Sequence, residues 1–108
     1  MIDLHTHILP GIDDGAKTLE VALEMARIAV NDGTTVMACT PHIYPGLYMN
    51  DSAGIHDART RLQNAFDVFH IPLKLVVGAD AHLVPELLEG LQSGRVPTLN
   101  GSRYFLLE

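Results

Sequence analysis

His5-Thr6-His7 sets two imidazoles two residues apart, with Asp13 and Asp14 close behind. Three later segments end in the same kinds of group: Thr40-Pro41-His42, Gly78-Ala79-Asp80, and Glu108 after Tyr104-Phe105-Leu106-Leu107. Residues i and i+2 of a strand share a face, so a His-x-His pair at a strand end can aim both rings at one ion. Neutral imidazole suits Zn, Mn, Fe, Co or Ni; carboxylates favour harder ions and can bridge two of them. Each segment follows a short apolar run that reads as a strand. In parallel α/β sheets and barrels every strand C-terminus opens on one face, where such folds place their chemistry. Four such ends point to a polynuclear metal centre.

Each residue also has a plainer reading. His5 and His7 could be polar loop residues with ordinary hydrogen bonds. Asp13-Asp14-Gly15 is common turn material, with Gly supplying positive φ and one Asp free to cap the next helix. His42 could be a satisfied histidine at a loop start, and Asp80 alone says little. Glu108, as the last residue, could be solvated, but its apolar lead-in argues that it emerges on the same face as the others. His82 stands near the site and would be equally at home on a surface. His56 and His70 fall on or near a helix away from the strand ends and read as structural or solvated. Tyr44 and Tyr48 fit the packing of a loop beside the site. Lys17 is the basic residue nearest to it.

The elements that must position these groups alternate strand and helix. Ile2 to Leu4 reads as a short buried strand. Thr18 is an N-cap for a helix to about Asn31, with an apolar stripe through Leu19, Ala22, Leu23, Ala26, Ala29 and Val30 and a stop at Gly33. Thr34 to Thr40 is a β-branched second strand ended by Pro41. A loop with Pro45 and Gly46 leads to a second helix from Asp51 or Ser52 to roughly Phe69. Leu73 to Val77 is the third strand. Pro85 suits the first turn of a third helix ending near Gly94, and Tyr104 to Leu107 is the fourth strand. The order is (βα)3β, which gives a parallel sheet with right-handed crossovers. A closed β/α barrel needs about 250 residues; this chain supplies about half and stops on a strand, so it looks truncated relative to its architecture.

The 108 residues are 47% hydrophobic, enough for one small core. A net charge of −6 argues against nucleic acid or an anionic membrane as partner, and acidity suits a cation-collecting site. No basic leader precedes Ile2 and no apolar run is long enough to span a bilayer, so the expectation is a cytoplasmic protein without membrane insertion. The lone Cys39 agrees with a reducing compartment. A cysteine-nucleophile phosphatase would need Cys, five residues, then Arg; Cys39 is followed by Thr-Pro-His-Ile-Tyr and then Pro45. Cys39 instead suits the interior of the second strand. Walker loops, Gly-x-Ser-x-Gly elbows and Cys-x-x-Cys pairs are absent.

The run His5-Thr6-His7-Ile8-Leu9-Pro10-Gly11-Ile12-Asp13-Asp14-Gly15-Ala16 resembles the first motif of the PHP (polymerase and histidinol phosphatase) superfamily. It is most similar to one branch, the bacterial manganese-dependent protein-tyrosine phosphatases of capsule and exopolysaccharide operons, the CpsB/CapC/YwqE type. Thr40-Pro41-His42, Gly78-Ala79-Asp80 and Tyr-Phe-Leu-Leu-Glu match the later motifs in order, and the resemblance covers the whole chain.

The resemblance implies a single partial PHP domain over residues 1–108, the N-terminal half of a distorted (β/α)7 barrel. It implies that His5, His7, Asp14, His42, Asp80 and Glu108 are metal ligands, with Glu108 bridging; no catalytic residue other than these ligands is assigned. The complete site would hold up to three divalent metals, Mn foremost, with Fe, Zn or Co compatible with the same donors. The implied substrate is phosphotyrosine on a bacterial tyrosine autokinase that controls polysaccharide assembly. At position 80 the family usually has Glu, so Asp80 reaches shorter by about 1.3–1.5 Å, a gap His82 could fill. The family's later ligands, a His on the next strand and an Asp-x-His, and its phosphate-binding Arg fall beyond residue 108. Two alternatives stand beside this one: another PHP phosphoesterase (histidinol phosphatase or nuclease-like), and a non-catalytic metal-binding half-domain that pairs with a partner or as a homo-oligomer.

Overall fold

In the computed structural model, which describes residues 1–44 and 46–108, three helices alternate with parallel strands. The strands are β1 (Ile2–Thr6), β2 (Val36–Cys39), β3 (His42–Ile43), β4 (Lys74–Val77), β5 (Asp80–Ala81) and β6 (Leu106–Leu107). The helices are α1 (Leu19–Asn31), α2 (Ser52–Val68) and α3 (Leu87–Ser93), and a single 3₁₀ turn covers Leu99–Gly101. Pro45 lies outside the described residues. No described helix is long and apolar enough to cross a membrane.

The expected second and third strands appear, slightly shortened, as β2 and β4, and each is followed beyond its expected end by a further two-residue strand, β3 and β5. The strands form two three-stranded parallel sheets, β1-β2-β4 and β3-β5-β6. The register nevertheless runs through the gap: Cys39 faces Val77, and three residues further on His42 faces Asp80. Pro41 has no N–H to give the ladder, which interrupts the pairing. Its carbonyl still accepts from Asp80 N at 2.9 Å, and Cys39 O accepts from Gly78 N at 2.9 Å. The fourth strand is shorter than expected, Leu106–Leu107, and among the described residues pairs with β5 alone.

The helices follow their local signals. Thr18 caps α1, its hydroxyl accepting from Val21 N, and Asp51 caps α2, its carboxylate accepting from Gly54 N. Neither Asp13 nor Asp14 serves as the cap. Gly33 ends α1 with φ of 91°. Pro85 sits not in α3 but in the turn before it, where Leu87 N donates to Val84 O. Ala22, Leu23 and Ala26 of α1 and Ile55, Ala58, Leu62 and Phe66 of α2 share one buried cluster with Met37, Cys39, Leu75 and Val77. That is one face of β2 and β4, taken at alternate residues. A smaller cluster of Ala79, Ala81 and Val96 lies under the second sheet.

β1 departs from the expected buried strand: Ile2 is 62% and Leu4 56% exposed. It is the edge of its sheet, and no described element covers either side chain. Cys39 does sit in the interior of β2, and burial pushes its thiol up to about 12, the charge of Arg59 offsetting part of the rise.

Candidate metal centre

The strand ends bring the candidate residues to one place. His5 and His7 come from the end of β1, His42 opens β3, Asp80 opens β5, and Glu108 follows β6. Asp14 comes from the loop after β1. All six, with His82, fall into three groups whose donor atoms lie within 4.8 Å of one another: His5, His7 and Asp80; His7, Asp14 and His42; His42, His82 and Glu108. His56 and His70 lie outside them, exposed on and after α2.

Asp80 is the buried hub, its side chain 3% exposed. One carboxylate oxygen, Oδ2, faces His5 Nε2 at 3.4 Å, His7 Nε2 at 3.8 Å and His42 Nδ1 at 3.4 Å. Asp14 Oδ1 is 3.2 Å from His42 Nε2, and Glu108 Oε2 is 3.4 Å from His42 Nδ1 and 3.3 Å from His82 Nε2. Hydrogen bonds run about 2.7–3.2 Å, and most of these separations exceed that. Two donors on one cation, each bonded at about 2.0–2.2 Å, stand roughly 3–3.5 Å apart. No Lys or Arg forms an ion pair with Asp14, Asp80 or Glu108 among the described residues; the Arg pairs there join Asp57 and Glu89. Asp14 and Glu108 are exposed, but Asp80 is a buried carboxylate without a cationic side chain, and that calls for another cation. The donor set fits a divalent metal.

Asp13 holds this arrangement together. Its side chain is fully buried; Oδ2 contacts His7 Nδ1 at 2.9 Å and accepts from the His42 backbone N–H at 3.0 Å, and Oδ1 accepts from Gly15 N at 2.9 Å. With all of its near partners in the protein, Asp13 orients the site. A carboxylate on Nδ1–H fixes the tautomer that leaves Nε2 open. Of the Asp pair, it is Asp14, not Asp13, whose carboxylate remains available.

Other parts of the frame gave little sequence signal. Gly15 has no positive φ; it is needed for space, since a Cβ there would lie 2.0 Å from His7 O. Asn50 Nδ2 donates to Ile12 O at 2.8 Å and His42 O at 2.9 Å, tying two site loops together. Thr40, fully buried, exchanges hydrogen bonds with the Thr6 backbone through Oγ1, at 3.0 and 3.1 Å. Tyr48 stacks on His42 at 5.5 Å, His42 stacks on His7 at 4.4 Å, and the Tyr44 ring meets His82 edge-on at 4.4 Å. The tyrosines thus flank the imidazoles as well as pairing with each other across their loop. Lys17 is exposed and makes no ion pair among the described residues.

Fold and site together define a parallel α/β chain with imidazoles and carboxylates clustered at its strand C-termini. The chain belongs to the CpsB/CapC family of capsular polysaccharide synthesis, which it matches over residues 1–108. It is 36% identical to the tyrosine-protein phosphatase YwqE of Bacillus subtilis (strain 168), over the whole chain and 42% of that protein. It is 32% identical to CapC of Staphylococcus aureus, again over 42% of the relative, and 29% identical to the tyrosine-protein phosphatase CpsB of Streptococcus pneumoniae, over 44%. It superposes with a TM-score of 0.94 and 36% identity on a chain from the crystal structures of YwqE from Bacillus subtilis and CpsB from Streptococcus pneumoniae, described as metal-dependent tyrosine phosphatases. That match covers 99% of this chain and 43% of the other. The chain spans less than half the length of the relatives it matches.

Proposed function

We propose that this chain carries most of the metal site of a protein-tyrosine phosphatase, with His5, His7, Asp14, His42, Asp80 and Glu108 as ligands. The observation that carries the reading is the Asp80 carboxylate, buried among three imidazole nitrogens with no cationic side chain to balance it. Bound divalent metal would lower the pKa of a water and neutralise charge on the phosphoryl oxygens. The chain's own residues set the geometry for this. Asp13 holds the His7 ring and the His42 backbone, Asp80 sits between the imidazoles of both, and Tyr44 and Tyr48 line the side from which a phenyl phosphate would approach. Buried as a neutral thiol, Cys39 is poorly placed for a covalent route.

The substrate in this reading is phosphotyrosine on a bacterial tyrosine autokinase in capsule or exopolysaccharide regulation, in the cytoplasm, and Mn is the metal of first choice. The family's remaining ligands have no counterpart among the 108 residues, so this chain alone is expected to turn over weakly or not at all. The test compares hydrolysis of a phosphotyrosine peptide, histidinol phosphate and single-stranded DNA by the chain joined to the C-terminal part of a relative, with Mn and with chelator. Chelator-sensitive preference for the peptide supports the proposal. Preference for either of the other substrates moves the protein to a different phosphoesterase, and full turnover by the 108 residues alone would overturn the ligand set.

A further inference from the structure

Two of the three donor groups share no residue. His5, His7 and Asp80 make one and His42, His82 and Glu108 the other; the group between them borrows one imidazole from each side. A neutral imidazole carries a single free lone pair, its second nitrogen bearing the proton. The middle group therefore competes with both outer groups, while the outer two can fill together. We propose that His82 is a metal ligand, and that this chain holds two cations at once: one on His5, His7 and Asp80, the other on His42, His82 and Glu108. The inference rests on the metal reading above and adds to it a residue and a stoichiometry.

Strand register builds the second position. Asp80 pairs with Leu106 and Ala81 with Leu107, so the next step sets His82 beside Glu108. The backbone carries the pairing on: Glu108 N donates to Ala81 O at 2.8 Å and Leu83 N to Glu108 O at 3.0 Å. On the other side His82 N donates to Ile43 O at 3.3 Å, next to His42. His82 Nε2 lies 3.1 Å from His42 Nδ1 and 3.3 Å from Glu108 Oε2, with Tyr44 packed against its ring. Asp80-x-His82 thus repeats on one strand end what His5-x-His7 does on another, but its two donors serve different cations. When His42 binds through Nδ1, its Nε2–H points to Asp14 Oδ1, 3.2 Å away. Asp14 then steadies that ring as Asp13 steadies His7, and it becomes a direct ligand only when the middle group fills in place of the outer ones.

The plainer alternative is a hydrogen bond from His82 to His42 with no metal on His82. Equilibrium dialysis of the 108-residue chain against Mn2+, with Co2+ absorption as a second readout, separates the two. The wild type should bind two equivalents. His82→Ala should keep one and weaken the other at least tenfold, with His56→Ala, on the exposed face of α2, as the unchanged control. His82→Gln keeps a hydrogen-bond donor for His42 but removes the imidazole, so it should behave like His82→Ala; circular dichroism checks that both variants fold. Two undiminished equivalents in His82→Gln would overturn the inference and leave the metal reading standing, and a single equivalent in the wild type would do the same. A wild type that binds no cation would remove the metal reading itself.

Discussion

Asp13 holds the His7 ring, the His42 backbone and Gly15, and leaves no oxygen without a protein partner. Exchanging it for Asn keeps its size but replaces one acceptor oxygen with an amide nitrogen, so either the His7 Nδ1–H and His42 N–H or the Gly15 N–H loses its acceptor and meets a donor instead. Outer-shell changes of this kind cost about 10–100-fold in metal affinity. Asp13→Asn is therefore expected to weaken Mn2+ binding by about that factor while the helical content stays as it is; calorimetric titration measures the first and circular dichroism the second. Cys39 makes a prediction of another kind. Its folded-state pKa is raised from 9.0 to about 12 by burial, so the folded state retains a proton that the unfolded chain releases. The stabilisation is whole below pH 9 and is lost as pH rises toward 12, at up to about 1.4 kcal/mol per pH unit in that window. Urea unfolding from pH 8 to pH 11 should show this decline, and Cys39→Ala should flatten the slope even though the smaller side chain lowers stability throughout.

The bounds of α1 and α2 and the end of α3 were legible because helices announce themselves locally: a capping Thr18 or Asp51, an apolar stripe, and Gly33 or Gly94 at the stop; the start of α3, beyond Pro85, was not. The strand-end donors were legible for the same reason, each following its own apolar run. What stayed hidden depends on neighbours distant in sequence. Ile2 and Leu4 look like core residues until β1 is found at the sheet's edge. Gly15 looks like a turn glycine until His7 O is found where its side chain would be. His82 was legible only as a neighbour of the site that could offset the shorter Asp80; its pairing with Glu108 comes from strand register. Gln63 gave no signal at all, yet its amide substitutes for a missing strand: Oε1 accepts from Leu75 N at 2.8 Å and Nε2 donates to Leu73 O at 3.0 Å. Arg59 Nη1 adds a bond to Leu75 O at 3.3 Å. The outer edge of β4 is thus closed by side chains of α2. Leaving the Leu75 N–H unpaired costs about 1–3 kcal/mol. Gln63→Ala should lower stability by that order and speed hydrogen exchange at the Leu75 amide, with little effect on the site. Gly15→Ala should act the other way round, displacing His7 and abolishing metal binding; a variant that binds Mn2+ normally would show that the loop has room after all.

The donors span the chain from His5 to Glu108 and converge from four strand ends and the loop after β1, so a cation there would tie together segments distant in sequence. The protein carries a net charge of −6, and Asp14, Asp80 and Glu108 each approach the His42 ring, at 3.2, 3.4 and 3.4 Å, with no ion pair to Lys or Arg among the described residues. In the absence of metal the fold bears that repulsion, and the exposed strand β1 has little side-chain packing to hold it. A ligand that binds only the folded state stabilises it by an amount set by its concentration over Kd, about 2.7 kcal/mol at a hundredfold excess. For a domain of this size each kcal/mol moves the melting temperature by roughly 4–8 °C. Saturating Mn2+ should therefore raise Tm on the order of 10–20 °C, and EDTA should return it to the starting value. Substitutions of the proposed ligands should reduce the gain in proportion to what each removes. His42→Ala takes a donor from two groups and His5→Ala from one, so His42→Ala should lose more of it. His70→Ala, exposed beyond α2, should keep all of it. Thermal melts of these variants with and without Mn2+ decide the matter: equal gains in His42→Ala and the wild type would mean that the cation binds elsewhere, and that the clustered strand ends are not what it holds together.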